Sequence, residues 1–301
     1  MTPLSKTRFN RFRALHSRKE RQQTGLTLLE GESLVAEALE HGARLTAVVG
    51  LPEFWGKHPE WIHRLGAAGV AAFTLTAKQL EMLASTGHPA GSLAVVASPE
   101  WKPELLWARA GQPDFLGVLG VGLQDPGNVG GILRTLAAAA GQGAWFSEGC
   151  AELASPKVIR ASAGAVLRLP GIERARPGEV LAECRRRGIQ TLAAVPRGGR
   201  PHTSLDLTQP TLLVLGAEGG GLPEEIKAAC DYAVHIPMPG GMESLNVAVA
   251  AGIILYEAVR QRRLAPAVKR GSEGERSMGS PARGESGADR AGQGPKRTRG
   301  N

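Results

Sequence analysis

Leu212-Leu213-Val214-Leu215-Gly216-Ala217-Glu218-Gly219-Gly220-Gly221-Leu222-Pro223 is an apolar run that ends in a glycine-rich loop. Thr211–Leu215 shows no alternation of polar and apolar residues. It therefore reads as a strand buried on both faces, which is the habit of parallel sheets. Leu222–Ala229 reads as the helix that follows. Strand, glycine loop and helix place Glu218 beyond the carboxyl end of a strand, where open α/β sheets bind ligands. The spacing is not G-x-G-x-x-G, so a dinucleotide fingerprint, and with it an NAD-dependent dehydrogenase, is disfavoured. A plain glycine turn would also fit this block taken alone.

Outward from this strand, helical and strand-like segments alternate on both sides, giving an α/β fold class. Towards the N-terminus, Phe115–Val121 is strand-like and ends in Gln124-Asp125-Pro126-Gly127-Asn128-Val129-Gly130-Gly131-Ile132-Leu133-Arg134-Thr135. Asn128 is a good cap for a helix running to about Ala140, and such a corner is anion-friendly. Arg134 sits about two turns into an apolar helix, so it needs a partner or a cavity. A structural salt bridge would serve as well as a functional role. Towards the C-terminus, Tyr232–Ile236 is a strand that enters Pro237-Met238-Pro239-Gly240-Gly241-Met242-Glu243-Ser244-Leu245-Asn246. Ser244 can cap the helix Asn246–Arg263, and Asn246 can equally bind local backbone. That helix is apolar around most of its circumference and is expected to be buried or at an interface.

A second, smaller α/β unit of alternating elements precedes this one. Its strands are expected near Leu26–Leu29, Leu45–Val49, Val70–Leu75 and Leu93–Ala97. Its helices are expected at Glu32–His41, Pro59–Ala68 and Ala77–Ala84. Pro99, Pro103 and Pro113 interrupt the pattern. The expected organisation is a basic N-terminal arm (1–23), a small domain (24–98), a linker (99–113), a second domain (114–265) and a basic disordered tail (266–301).

The chain of 301 residues carries a net charge of +8. Residues 1–23 hold +6 and residues 266–301 hold +4, which leaves −2 for the folded body. Basic ends suit a polyanion such as RNA, and equally suit a solvated tail. No run of about 18 apolar residues exists, and the N-terminus lacks the apolar core of a secretory signal, so no membrane partner is expected. The cysteines Cys150, Cys184 and Cys230 are too scattered for a disulfide framework or a zinc site, and a reducing cytoplasm is the default. His202 and His235 offer no metal-ligand set, so no metal is expected.

Each block is ambiguous alone, but their order is not. N-x-G-x(3)-R, then L-G-x-E-x-x-G, then I-P-M-x(5)-S-L-N-V resembles the SpoU (TrmH-type) RNA 2′-O-ribose methyltransferases over residues 115–263. Lys157-Val158-Ile159-Arg160-Ala161-Ser162-Ala163-Gly164-Ala165 adds to the likeness. The segment opened by Leu29-Glu30-Gly31-Glu32 looks like the substrate-binding domain of many members.

The resemblance implies a trefoil-knotted catalytic domain, a homodimer, and S-adenosyl-L-methionine as methyl donor. It implies that Leu215, Gly216, Ala217, Gly221, Ile236, Met238 and Leu245 hold the donor. It implies catalytic roles for Asn128, Arg134, Glu218, Ser244 and Asn246, with each site completed near the partner subunit. Asn128 would organise the arginine and the ribose, and Arg134 would act as base or orient hydroxyl and phosphate. The substrate implied is structured RNA, and the extra domain points to 23S rRNA. A tRNA 2′-O-methyltransferase and a non-catalytic RNA-binding or ribosome-assembly protein are the alternatives.

Overall fold

The computed structural model describes residues 1–85, 89 and 91–265. The expected disordered tail at 266–301 lies outside the described residues. The first half holds β1 (Thr2–Pro3), α1 (Lys6–Ala14), α2 (Arg18–Thr24), β2 (Leu26–Glu30), α3 (Glu32–Glu40), β3 (Leu45–Gly50), α4 (Pro52–Lys57), α5 (Pro59–Ala67), β4 (Ala71–Thr74), α6 (Ala77–Leu83) and β5 (Ser92–Ala97). Its strands form a mixed sheet in the order β1-β4-β3-β5-β2. The second half holds α7 (Pro103–Ala110), β6 (Leu116–Gly120), α8 (Pro126–Ala138), β7 (Gly143–Ser147), α9 (Pro156–Ala161), β8 (Gly171–Ala175), α10 (Pro177–Arg186), β9 (Gln190–Ala194), β10 (Arg200–Pro201), β11 (Thr211–Leu215), α11 (Glu224–Ala229), β12 (Tyr232–His235) and α12 (Val247–Leu264). Its strands form a parallel sheet in the order β10-β12-β9-β11-β6-β7-β8.

β11 lies at the centre, between β9 and β6. Leu213 and Leu215 point into one core with α8 and α12. Leu212 and Val214 point into the other with α7, α10 and Ile226 of α11. Alternate side chains leave a strand on opposite faces, and both faces are covered. That is why the run is apolar without alternation.

α8 and α12 pack closely side by side. A Cβ at Gly131 would come within 3.1 Å of the Ala248 Cβ, and one at Gly252 within 3.6 Å of Thr135. Both pairs step by four residues, so the helices run parallel in register.

Several local expectations are corrected. The stretch expected to link the two units contains α7, whose Leu106 and Ala110 are buried in the second core. It therefore covers one face of the parallel sheet. The expected basic arm is also built in. β1 pairs with β4, and Leu4, Phe9 and Leu15 are buried with Phe73 and Leu80. Phe9 and Phe12 alternate with the arginines of α1, giving the helix an apolar side that the charge count concealed.

The two halves share a core, since Leu29, Val35 and Ala38 cluster with Val158, Ile159 and Val166. A buried ion pair joins them. Arg21 of α2 and Glu152 are 6% and 8% exposed. The Arg21 Nε donates to Glu152 Oε1 at 3.2 Å, Nη2 donates to Oε2, and Nη1 donates to the carbonyls of Leu15 and His16, both at 2.8 Å. Thr27 Oγ1 donates to the Ala154 carbonyl at 2.6 Å, and Arg168 reaches Glu37 at 3.1 Å. Removing one partner of a buried pair leaves an uncompensated charge. Glu152→Ala is therefore expected to lower unfolding stability by about 3–5 kcal/mol, and Glu152→Ala with Arg21→Met to recover most of it. Denaturant titration of the variants checks this, and a loss under 1 kcal/mol for Glu152→Ala would be the contrary result.

Candidate active site

The parallel sheet leaves a crevice at the carboxyl ends of its central strands, where β11 sits between β6 and β9. Loops after β9, β11 and β12, together with the start of α12, surround a cavity of about 700 Å³. That volume is within the range of small-molecule sites. Leu215, Gly216, Ala217, Gly221, Ile236, Met238 and Leu245 line it, and so do Glu218, Ser244 and Asn246.

The glycine loop is folded back on itself. Gly221 N donates to the Ala217 carbonyl at 2.9 Å, and the two residues form an antiparallel bridge. A Cβ on Gly216 would lie 2.2 Å from the Gly221 carbonyl carbon and 2.4 Å from Leu222 N. Gly219 and Gly221 have φ of 82° and 63°, a region that favours glycine.

Next to this loop, three polar side chains from distant parts of the sequence meet. Asn128 Nδ2 donates to Glu218 Oε1 at 2.8 Å. Asn246 Nδ2 donates to the same oxygen at 2.9 Å and to Asn128 Oδ1 at 2.8 Å. Asn246 Oδ1 accepts from the backbone of Ala248 at 3.0 Å and Val249 at 3.3 Å. One asparagine therefore caps α12 and ties both other residues together. Its amide orientation is set at both ends, so the cluster is rigid.

Two capping expectations change. Asp125, not Asn128, caps α8, because its Oδ1 accepts from Asn128 N at 2.8 Å. Pro126 is preferred at the first helical position, which makes the residue before it the cap. The Asn128 side chain, 7% exposed, is thereby free to meet Glu218. Likewise Asn246, not Ser244, caps α12. Ser244 is an exposed residue of the cavity wall.

Arg134 is exposed and does not line the cavity. Among the described residues it has no hydrogen-bond or ion-pair partner, so it is not the structural salt bridge that its helix position allowed. α12 shows a further feature on its outer side. Val249, Ile253, Tyr256 and Leu264 are 51%, 36%, 49% and 69% exposed, and all four fall near one helical stripe.

Ala194, Val195, Pro196 and Arg197 also line the cavity and were not anticipated. Their signal was the Pro-Arg-Gly-Gly turn directly after a strand, at the same edge of the sheet as the other loops. Among the described residues, no group of three or more His, Cys, Asp or Glu is placed to hold a metal ion. Among the same residues, no helix is long and apolar enough to cross a membrane.

Comparison with known proteins identifies the family of the chain. Residues 116–256 match the model of the SpoU rRNA methylase family, and residues 6–94 match the MRM3-like substrate binding domain. A 23S rRNA (uridine(2479)-2′-O)-methyltransferase of Streptomyces viridochromogenes is 35% identical over 265 residues, covering 85% of this chain and 90% of its own. A 23S rRNA (guanosine(2553)-2′-O)-methyltransferase of Bacillus subtilis is 30% identical, covering 81% and 93%. The crystal structure of the SpoU methyltransferase AviRb from Streptomyces viridochromogenes in complex with the cofactor AdoMet superposes with a TM-score of 0.75. It is 33% identical and covers 85% of this chain and 98% of that one.

Proposed function

The chain belongs to the SpoU rRNA methylase family, and on that premise we propose that it transfers a methyl group from S-adenosylmethionine to a ribose 2′-hydroxyl of 23S rRNA. The observation that carries this reading is the Asn128–Glu218–Asn246 cluster bordering the cavity.

The residues present fit the donor. Apolar side chains of Leu215, Ile236, Met238, Leu245 and Ile254 provide walls for a nucleoside. The tight loop Gly216–Gly221 brings backbone donors and acceptors to the same space. When bound, S-adenosylmethionine supplies an electrophilic methyl group on a sulfonium, which is left as a neutral thioether after transfer. The hydroxyl oxygen gains the methyl and loses its proton, so charge must be accommodated as that proton departs.

Asn128 and Asn246, fixed by Glu218, orient the ribose edge in this reading. Arginine side chains stay charged. Arg134 therefore serves best by positioning the hydroxyl and its phosphate and by stabilising the developing oxyanion.

The unpartnered face of α12 supports a homodimer. A second copy covering Val249, Ile253 and Tyr256 would bury an exposed apolar stripe. Because α8 lies alongside α12, Arg134 would then stand at the edge of that interface, and in this reading it reaches the cavity of the partner. The first half, roughly 2–97, supplies the RNA-binding domain in this reading, in keeping with its match to a substrate-binding model. The second, roughly 103–264, supplies catalysis.

Mapping of ribose methyl groups in RNA from a strain lacking this protein tests the reading. Loss of one 2′-O-methyl group from 23S rRNA is expected, with restoration by the wild-type chain. Loss from a tRNA instead would overturn the rRNA assignment, and an unchanged map in both RNAs would overturn the enzymatic one. Calorimetry with the pure protein should show S-adenosylhomocysteine binding and no NAD binding.

A further inference from the structure

We propose that Arg197 binds the α-carboxylate of the methyl donor and sets the preference of the site for a donor that carries that group. The proposal rests on the donor reading above and names the part of the donor that this residue recognises.

Arg197 stands on a turn held rigidly at both ends. Before it, Val195 N donates to the Val234 carbonyl at 2.9 Å. After it, Gly198 and Gly199 take φ of 78° and 70°, and β10 pairs with β12 through Arg200 and Val234. Gly199 lies so close to β12 that a Cβ there would be 2.3 Å from the Ala233 carbonyl oxygen. These contacts fix both ends of the turn beside the cavity. Its two arginines nevertheless differ. Arg200 stacks on Tyr232 at 4.7 Å. Arg197 is exposed, lines the cavity and has no ion-pair or hydrogen-bond partner among the described residues.

The charge inventory points the same way. Among the described residues that line the cavity within one subunit, Arg197 is the only cation, and Glu218 and Glu243 are the anions; the Arg134 that would enter from a second copy is placed against the ribose and its phosphate. S-adenosylmethionine has the complementary set: a carboxylate, a sulfonium and an ammonium group. A guanidinium matches a carboxylate in charge and in planar fork geometry. An RNA phosphate would be the other available anion. The strand order argues against it. Asn128 and Glu218 follow β6 and β11, whereas Arg197 follows β9, on the other side of β11, and of the cluster only Asn246 comes from that side, after β12. A ribose held at Asn128 would place its phosphate on the β6 side of the cavity, and the RNA-binding arm of the test below separates the two anions.

The test is calorimetry with two ligands, S-adenosylmethionine and its decarboxylated form, on wild type and on Arg197→Ala. Wild type is expected to prefer the carboxylated ligand by about tenfold, the low end for a charge-assisted pair because the side chain is exposed. Arg197→Ala is expected to weaken that ligand by the same factor and to leave the decarboxylated one unchanged, with Arg197→Lys in between. Equal weakening of both ligands would mean that the substitution merely disturbs the wall, and would overturn the proposal. Unchanged donor binding with weakened RNA binding in a filter assay would also overturn it and assign the arginine to phosphate. Failure of the wild type to bind S-adenosylmethionine would sink the donor reading itself, and is seen before any substitution is made.

Discussion

Arg134→Ala is expected to lower the methylation rate by at least about a hundred- to a thousandfold, the usual cost of removing a group that stabilises developing charge. Binding of S-adenosylhomocysteine should change by less than about twofold, because uniform ligand binding and charge stabilisation are separable. Arg134 is not part of the wall that surrounds the cavity of its own chain, and in the cavity of the partner its proposed contacts are with the ribose and its phosphate, not with the donor. Its exposure, and the lack of any ion pair among the described residues, also predict an unchanged denaturation curve.

The dimer proposal makes a sharper claim. A mixture of Arg134→Ala and Asn246→Ala subunits, each inactive alone, should recover activity. In a freely exchanging twofold dimer, about half the molecules are mixed and one of their two sites is complete, giving about a quarter of wild-type rate. Absence of recovery in subunits shown to exchange would place Arg134 in the cavity of its own chain, through a movement of α8. Full activity of Arg134→Ala alone would remove the residue from the mechanism.

The second large effect is expected at the glycine loop. Gly216→Ala puts a methyl group 2.2 Å from the Gly221 carbonyl carbon, a contact that only backbone movement relieves. The bridge between Ala217 and Gly221 would open, and Glu218 would leave its two asparagines. The methylation rate should fall by about a hundredfold, the scale on which a displacement of about 1 Å disrupts a reacting geometry, and donor binding should weaken with it. Overpacking should also reduce stability by about 1–3 kcal/mol. Gly220→Ala is the control, because nothing lies within 4 Å of its added Cβ and its φ is not positive. Calorimetry should find it close to wild type. Similar losses in both variants would show that the loop is sensitive to any substitution and would refute the contact at Gly216 as the cause.

The wall of the cavity was more legible in the sequence than the Asn128–Glu218–Asn246 cluster. Residues such as Leu215, Gly216 and Ile236 lie at the ends of strands that their apolar runs announce, and a parallel sheet aligns those ends along one edge. Arg197 obeys the same rule but was missed, because its turn carries no distinctive spacing. The assignment of caps failed at both helices that border the site. Ser, Asp and Asn all cap well, and composition alone does not choose between Asp125 and Asn128 or between Ser244 and Asn246. Pro126 decides the first case locally. The second is decided by distant partners, since Asn246 must also reach Asn128 and Glu218.

By itself, the sequence determined the α/β class, the central strand Thr211–Leu215, the glycine loop behind it and the family of the chain. These follow from periodicity, backbone freedom and the order of short motifs, all of which are local properties. Only the tertiary structure decided that α7 covers a sheet and that Arg21 is buried against Glu152. The same holds for the turn carrying Arg197 at the cavity and for Arg134 lying outside it. Each of these depends on which surfaces meet across more than thirty residues of chain or on a contact that is missing, and pairings of that kind are set by packing and charge compensation, not by local pattern. The glycine loop Gly216–Gly221 owes something to each: its glycines were plain in the sequence, but the reason Gly216 must be one is the backbone of Gly221 folded against it.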